Sequence, residues 1–197
     1  MLVGVMEDPA QDGAWRTSVI SVTPKDRDPG AIGLALADER AVLSTEDEQA
    51  VDRLARAREI DGIVSPGADW PVGIAARIAE RMGLAHPLDA ATAAVATSKL
   101  RQRERFAAAD VPHPRATTEL GEAHFPCVVK AVDRQGQRGL GLVRSAEELD
   151  AAVDEARAES RGGGVLVEEL IDGPEVTVNA VSVDGVFTPL LVTDRLT

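Results

Sequence analysis

The apolar positions of this chain change period as it proceeds. Residues 2–5, 18–22 and 41–43 are short apolar runs of strand length. Thr45-Glu-Asp-Glu48 predicts a helix start as a capping box, after which Val51, Leu54 and Ala55 share one helical face. Residues 61–65 return to a strand that ends at Pro66 and Gly67. Asp69 is expected to cap the next helix, with Pro71 early in it, Ile74, Ile78 and Met82 on its apolar side, and Gly83 as its stop. Strands separated by helices predict a parallel sheet with crossovers. Residues 86–92 read as a linker.

Beyond the linker the order is helix, strand, glycine loop, strand, helix, strand, turn, strand. Thr97 is the expected cap of the first of these helices, with Lys99 in its first turn. Ser145 and Glu148 form a second capping box ahead of a helix over residues 147–157. Residues 176–183 alternate and should pair with residues 186–192 through Asp184-Gly185, since Asp-Gly between alternating strands signals a hairpin.

Composition narrows the partners. The 197 residues are 44% hydrophobic with a net charge of −12, which disfavours nucleic acid and anionic membranes as partners. In so acidic a body, a few lysines and arginines make a local well for an anion. The single cysteine, Cys127, lies in an apolar strand and reads as a core residue. His86, His113 and His124 lack ligand spacing, so no metal site is inferred. No apolar run approaches the ~20 residues of a membrane helix, and Glu7-Asp8 follow the first apolar run at once, unlike a signal peptide. The expected location is cytoplasmic. Trp70 stands where a strand gives way to a helix; packing at the helix start is the expectation, with ligand contact at the strand's carboxyl end as the alternative.

The chemistry gathers after residue 96. Lys130 interrupts the apolar run 127–132, and a desolvated ammonium needs a partner. The loop that follows holds Gly136, Gly139 and Gly141 with Arg134 and Arg138, and glycines bring backbone N–H groups close to an anion. Its order is G-x-x-G-x-G and a strand follows, so it is neither the dinucleotide fingerprint nor a Walker loop. A phosphate-covering β-hairpin remains, with a plain glycine-rich turn as the duller account. Lys99 in a helix's first turn is electrostatically disfavoured, and a bound phosphate would resolve that. Glu168, the backbone of residues 169–171 and Glu175 are spaced to serve an adenine and a ribose; an acidic surface hairpin is the alternative.

In this order, Lys99, Arg103 and Phe106, then Val111-Pro-His-Pro-Arg115, Phe125-Pro-Cys-Val-Val-Lys130, the glycine loop and Val167-Glu-Glu-Leu-Ile-Asp-Gly-Pro-Glu175, the chain resembles the ATP-grasp superfamily from about residue 93 onward. Carbamoyl phosphate synthetase, biotin carboxylase and D-alanine–D-alanine ligase share that layout. The resemblance implies an α/β protein: a Rossmann-like pre-ATP-grasp domain over residues 1–92, then the first part of an ATP-grasp nucleotide-binding domain over residues 93–197. It implies that Lys99 and Lys130 contact ATP phosphates, and that Gln135, Gly136, Gln137, Arg138, Gly139 and Gly141 close over them. Glu168 would accept from the adenine amino group, with Glu169, Leu170 and Ile171 beside it, and Glu175 would hold the ribose. One departure is Gln135-Gly-Gln-Arg-Gly139, where many members carry three successive glycines.

The implied activity is that of an ATP-dependent carboxylate ligase working through an acyl phosphate, with small-molecule carboxylate and amine or ammonia substrates. A non-catalytic nucleotide-binding module is the alternative. A nicotinamide-cofactor protein fares worse, since residues 1–13 show no glycine fingerprint. The family's Mg2+ ligands and catalytic residues belong to a second half, which should begin where residues 192–197 end. The 197-residue chain is therefore expected to be a fragment that does not turn over ATP and that self-associates through uncovered apolar strand faces in residues 165–192.

Overall fold

A computed structural model of the chain describes residues 2–7, 16–23, 36–66 and 68–195. Its elements are β1 (Leu2–Glu7), β2 (Arg16–Thr23), β3 (Glu39–Val42), α1 (Glu48–Ala57), β4 (Gly62–Val64), α2 (Asp69–Met82), α3 (Ala90–Ala96), α4 (Lys99–Ala108), β5 (Ala116–Thr117), β6 (Cys127–Ala131), β7 (Leu140–Val143), α5 (Ala146–Glu159), β8 (Val165–Glu169), β9 (Val176–Val183) and β10 (Val186–Asp194). Mixed helices and sheets bear out the α/β class.

The first sheet has the order β3-β2-β1-β4. β2 and β3 are parallel, but β1 runs antiparallel to both β2 and β4, so the all-parallel expectation fails there. The reason lies in chain length. Only residues 8–15 separate β1 from β2, fewer than the dozen or so that a parallel crossover requires. The core of this unit joins Ile20, Val22 and Ile63 to Val51 and Ala55 of α1 and Ile74 and Ile78 of α2, with Leu54 and Met82 partly buried against it. These are the residues whose helical spacing predicted the two faces. Gly83 ends α2 in the left-handed region at φ +70°.

Three expected caps fall on neighbouring residues. Asp47, not Thr45, caps α1 by accepting from Ala50 N at 3.0 Å. Ala68 precedes α2 with no side-chain cap, and Asp69 is its first residue. Ser98 caps α4, while Thr97 closes α3 and donates to Ala93 O. For α1 and α4 a polar residue two positions and one position further on, Asp47 and Ser98, has the reach that the cap needs. Ser145 does precede α5, though Glu148 accepts from Arg144 N rather than completing the reciprocal box.

The second sheet, β5-β8-β6-β7, is antiparallel throughout and is packed on one face by α5. Cys127, Val129, Val143 and Val167 meet Leu149, Val153 and Ala156 there. Cys127 is thus the core residue expected. β9 and β10 form a separate two-stranded ribbon, turned at Asp184 (φ +50°) and Gly185 (φ +78°) as the Asp-Gly pair predicts. Leu166, Val167 and Glu168 are buried in their sheet, so the uncovered apolar strand faces expected over residues 165–192 are those of the ribbon, with Leu170 and Ile171 exposed ahead of it. Both faces of the ribbon are exposed, Phe187 at 64% among them.

Candidate nucleotide site

The alternation of β6 divides its side chains. Cys127, Val129 and Ala131 point into the core under α5, which puts Val128 and Lys130 on the opposite face. Glu168 of β8 stands directly across from Val128, and Leu166 across from Lys130, so Lys130 and Glu168 are diagonal neighbours on that face. Lys130 Nζ donates to Glu168 Oε2 at 2.5 Å. Arg103 Nε of α4 donates to Oε1 at 2.6 Å. Glu168 is 1% exposed. Burial alone would raise its carboxyl, but Arg103 and Lys130 outweigh burial and hold it below the ordinary 4.5. The partner that Lys130 needed is therefore a carboxylate of the chain itself.

Lys99 approaches the same strand end from α4. Its backbone N–H donates to Val132 O at 3.0 Å, and its ammonium donates to Ala131 O at 3.1 Å and to Arg134 O. Burial, then the nearby Lys130 charge, push Lys99 below its ordinary 10.5. Two lysines thus flank the root of the glycine loop.

The loop itself has a fixed root and an exposed tip. Ala131 N donates to Gly139 O at 2.9 Å, and Arg134 Nε donates to Glu159 O at 2.5 Å. Gly139 has φ +59°, and a Cβ there would lie 2.9 Å from Glu159 Cβ and 3.1 Å from Ala156 Cα, so both backbone and space demand glycine. Gly141, in β7, would meet Ala152 Cβ only at 3.4 Å. Gln135, Gly136, Gln137 and Arg138 are exposed.

The remaining expected residues lie further along β8 and the ribbon. Glu169 N donates to Arg115 O at 2.9 Å, and its carboxylate accepts from Arg115 Nε at 3.3 Å. Ile171 is 63% exposed. Glu168, Glu169 and Leu170 line a cleft of about 910 Å³ together with His113, Arg115, Thr117, His124 and Phe125; Lys99 and Lys130 are not among its lining residues. Glu175 stands just before the ribbon, where its carboxylate accepts from Arg195 Nη1 at 2.6 Å. The structure brings Lys99, Lys130 and Glu168 together at one strand end and leaves Glu175 apart on the ribbon's entry.

Two participants had no role assigned from the sequence, although Arg103 was among the residues that carry the resemblance. Arg103 shares a helix face with Lys99 at i, i+4, a spacing that could have flagged it. Asp133 anchors the loop root: its carboxylate accepts from Ser160 Oγ at 2.9 Å, Arg161 N at 3.0 Å and Gly162 N at 2.9 Å. No sequence signal pointed to that role. Among the described residues, no group of three His, Cys, Asp or Glu side chains comes together to hold a metal, and no helix is long and apolar enough to cross a membrane.

The chain is similar to known proteins in sequence and in fold. The chain is 29% identical over 187 residues to the ATP-grasp enzyme fsqD of Aspergillus fumigatus, covering 91% of this chain and 29% of that protein. It is 38% identical over 98 residues to a D-alanine–D-alanine ligase of Pseudomonas putida, covering 43% of this chain and 29% of the relative. The chain thus spans under a third of the length of these relatives. Its fold resembles the L-amino acid ligase of Bacillus licheniformis, with a TM-score of 0.72 at 22% identity over 89% of this chain and 44% of that one. It also resembles the biotin carboxylase of Campylobacter jejuni, with a TM-score of 0.66 at 17% identity over 86% of this chain and 44% of that one. Residues 93–193, just over half of the chain, match the profile described as D-ala D-ala ligase C-terminus. The chain therefore belongs to that family, within the ATP-grasp superfamily.

Proposed function

We propose that this chain is the ATP-binding part of an ATP-dependent carboxylate ligase, with residues 1–92 as a pre-ATP-grasp unit and residues 93–197 as the first part of the nucleotide-binding domain. The observation that carries it is the pair of lysines at the root of the glycine loop, one braced by Glu168. An ammonium has three N–H donors. Lys130 spends one on Glu168 and Lys99 two on carbonyls, so three remain for phosphate oxygens. Both ammoniums are held by fixed partners, which lowers the reorganisation needed when charge builds up on a transferring phosphoryl group. The exposed loop tip, residues 135–138, folds over the phosphates. Glu168 retains lone pairs on the oxygens that Arg103 and Lys130 engage, and these accept from the adenine amino group. Leu170 and Ile171 lie beside the base, and Glu175 takes the ribose hydroxyls in exchange for Arg195.

Phosphoryl transfer to a carboxylate then yields an acyl phosphate, and an amine or ammonia displaces phosphate to form the amide. Mg2+ accompanies ATP and would neutralise its phosphates; the described residues supply only the nucleotide grip. The test is ADP release by the full-length gene product with Mg2+, across carboxylates paired with amino acids, amines or ammonia. Release that requires a particular carboxylate supports ligation. ATP binding with no turnover under any pairing supports the non-catalytic module instead.

A further inference from the structure

A second cavity, of about 270 Å³, opens where the start of α2, the α3–α4 junction and the root of the glycine loop converge. Its walls include Trp70, Gly73, Arg77, Ser98, Arg101 and Asp133. Gly73 forms part of its wall. Gly73 is buried in the middle of a helix, where glycine costs stability relative to alanine. A Cβ there would lie 3.2 Å from Arg77 Nη1, so a side chain would push the guanidinium that borders the cavity aside by a few tenths of an ångström.

Two arginines, Arg77 and Arg101, border the cavity. Arg77 is held by Glu48 through Nε and Nη2, which leaves Nη1 toward Gly73. The Arg101 guanidinium has no ion-pair partner among the described residues. Asp133 also lines the cavity and stays ionised, but its carboxylate oxygens are taken up by Ser160, Arg161 and Gly162 and form no ion pair with either arginine. α4 also begins here with Lys99 and Arg101 and no acidic residue in its first turn, although anions suit that end of a helix. Trp70 gives an aromatic wall, fixed by the Arg161 guanidinium 4.4 Å from its ring centroid.

We infer that this cavity binds the carboxylate of an amino-acid-sized molecule, with Arg101 as the principal charge partner. A volume just under the usual 300–1,000 Å³ of ligand pockets excludes a whole nucleotide and suits a small acid. Val132 and Asp133 carry the cavity to the loop root, and Val132 O accepts from Lys99 N at 3.0 Å. A carboxylate seated here is adjacent to the lysine-flanked loop. Its identity as the acyl substrate rests on the proposed ligase; its binding does not.

The experiment is calorimetric titration of the chain with acetate, succinate, L-alanine, L-glutamate and benzoate, with acetamide, succinamide and benzamide as neutral controls and with ATP. At least one acid should bind saturably and its uncharged analogue at least ten-fold more weakly. Arg101→Gln, at an exposed position, should weaken that acid about ten-fold while leaving the ATP affinity within two-fold. Gly73→Val should abolish acid binding, with circular dichroism confirming its fold. Three results would each overturn the inference: no saturable acid, equal binding to Arg101→Gln, or displacement of the acid by ATP, which would assign the cavity to a phosphate. Acid binding without ATP binding would leave the cavity standing and remove the ligase.

Discussion

Glu168 Oε2 lies 2.5 Å from Lys130 Nζ, diagonally across two antiparallel strands, and the carboxylate is closed off from solvent. This ion pair is completed by Arg103 from a helix 65 residues earlier in the chain. Removing one member of a buried pair leaves charge without a counter-charge, which costs about 3–5 kcal/mol. Glu168→Gln should fall toward the lower end, about 3 kcal/mol, because Lys130 and Arg103 are each partly solvated. Urea unfolding checks this; a loss under ~1 kcal/mol would mean that the pair does not hold the sheet to α4.

The same carboxylate predicts a pH dependence. Its folded-state value is below the ordinary 4.5, because Arg103 and Lys130 outweigh burial. Its contribution is thus complete above about pH 4.5 and is lost as pH falls through the lower folded-state value. The stability difference between wild type and Glu168→Gln should shrink on acidification below 4.5. A constant difference down to pH 3 would contradict the ionised pair.

Lys99 predicts a proton flux. Burial and the neighbouring Lys130 lower its value from 10.5, and a phosphate placed beside it would raise it again. ATP binding at alkaline pH should therefore take up protons, seen as a dependence of the calorimetric heat on buffer ionisation enthalpy. Lys99→Met should abolish the dependence.

Amide exchange should split the glycine loop. Ala131 N–H, bonded to Gly139 O, should exchange slowly, and the exposed residues 135–138 quickly. ATP should slow the tip and leave the root unchanged. A tip equally protected with and without ATP would make it a fixed turn.

The two helix faces and the Asp184-Gly185 hairpin were legible in the sequence because periodicity and turn chemistry are local. The site was half legible. Lys130 announced itself as a cation in an apolar strand, but that its partner is Glu168 is a matter of strand register, which no local pattern carries. Asp133 had no signal at all, since its three donors come from residues 160–162, brought near only when α5 folds back. The antiparallel β1 was misread because alternation of strands and helices says nothing about direction when a connection is too short for a crossover.

ATP affinity of wild type against Lys130→Ala tests the nucleotide site most directly. A hydrogen bond to a charged group is worth about 1.5–3 kcal/mol, so the variant should bind ATP at least ten-fold more weakly with its fold intact by circular dichroism. An ATP dissociation constant unchanged in a folded Lys130→Ala would make the lysine a structural partner of Glu168 alone and contradict the proposed site.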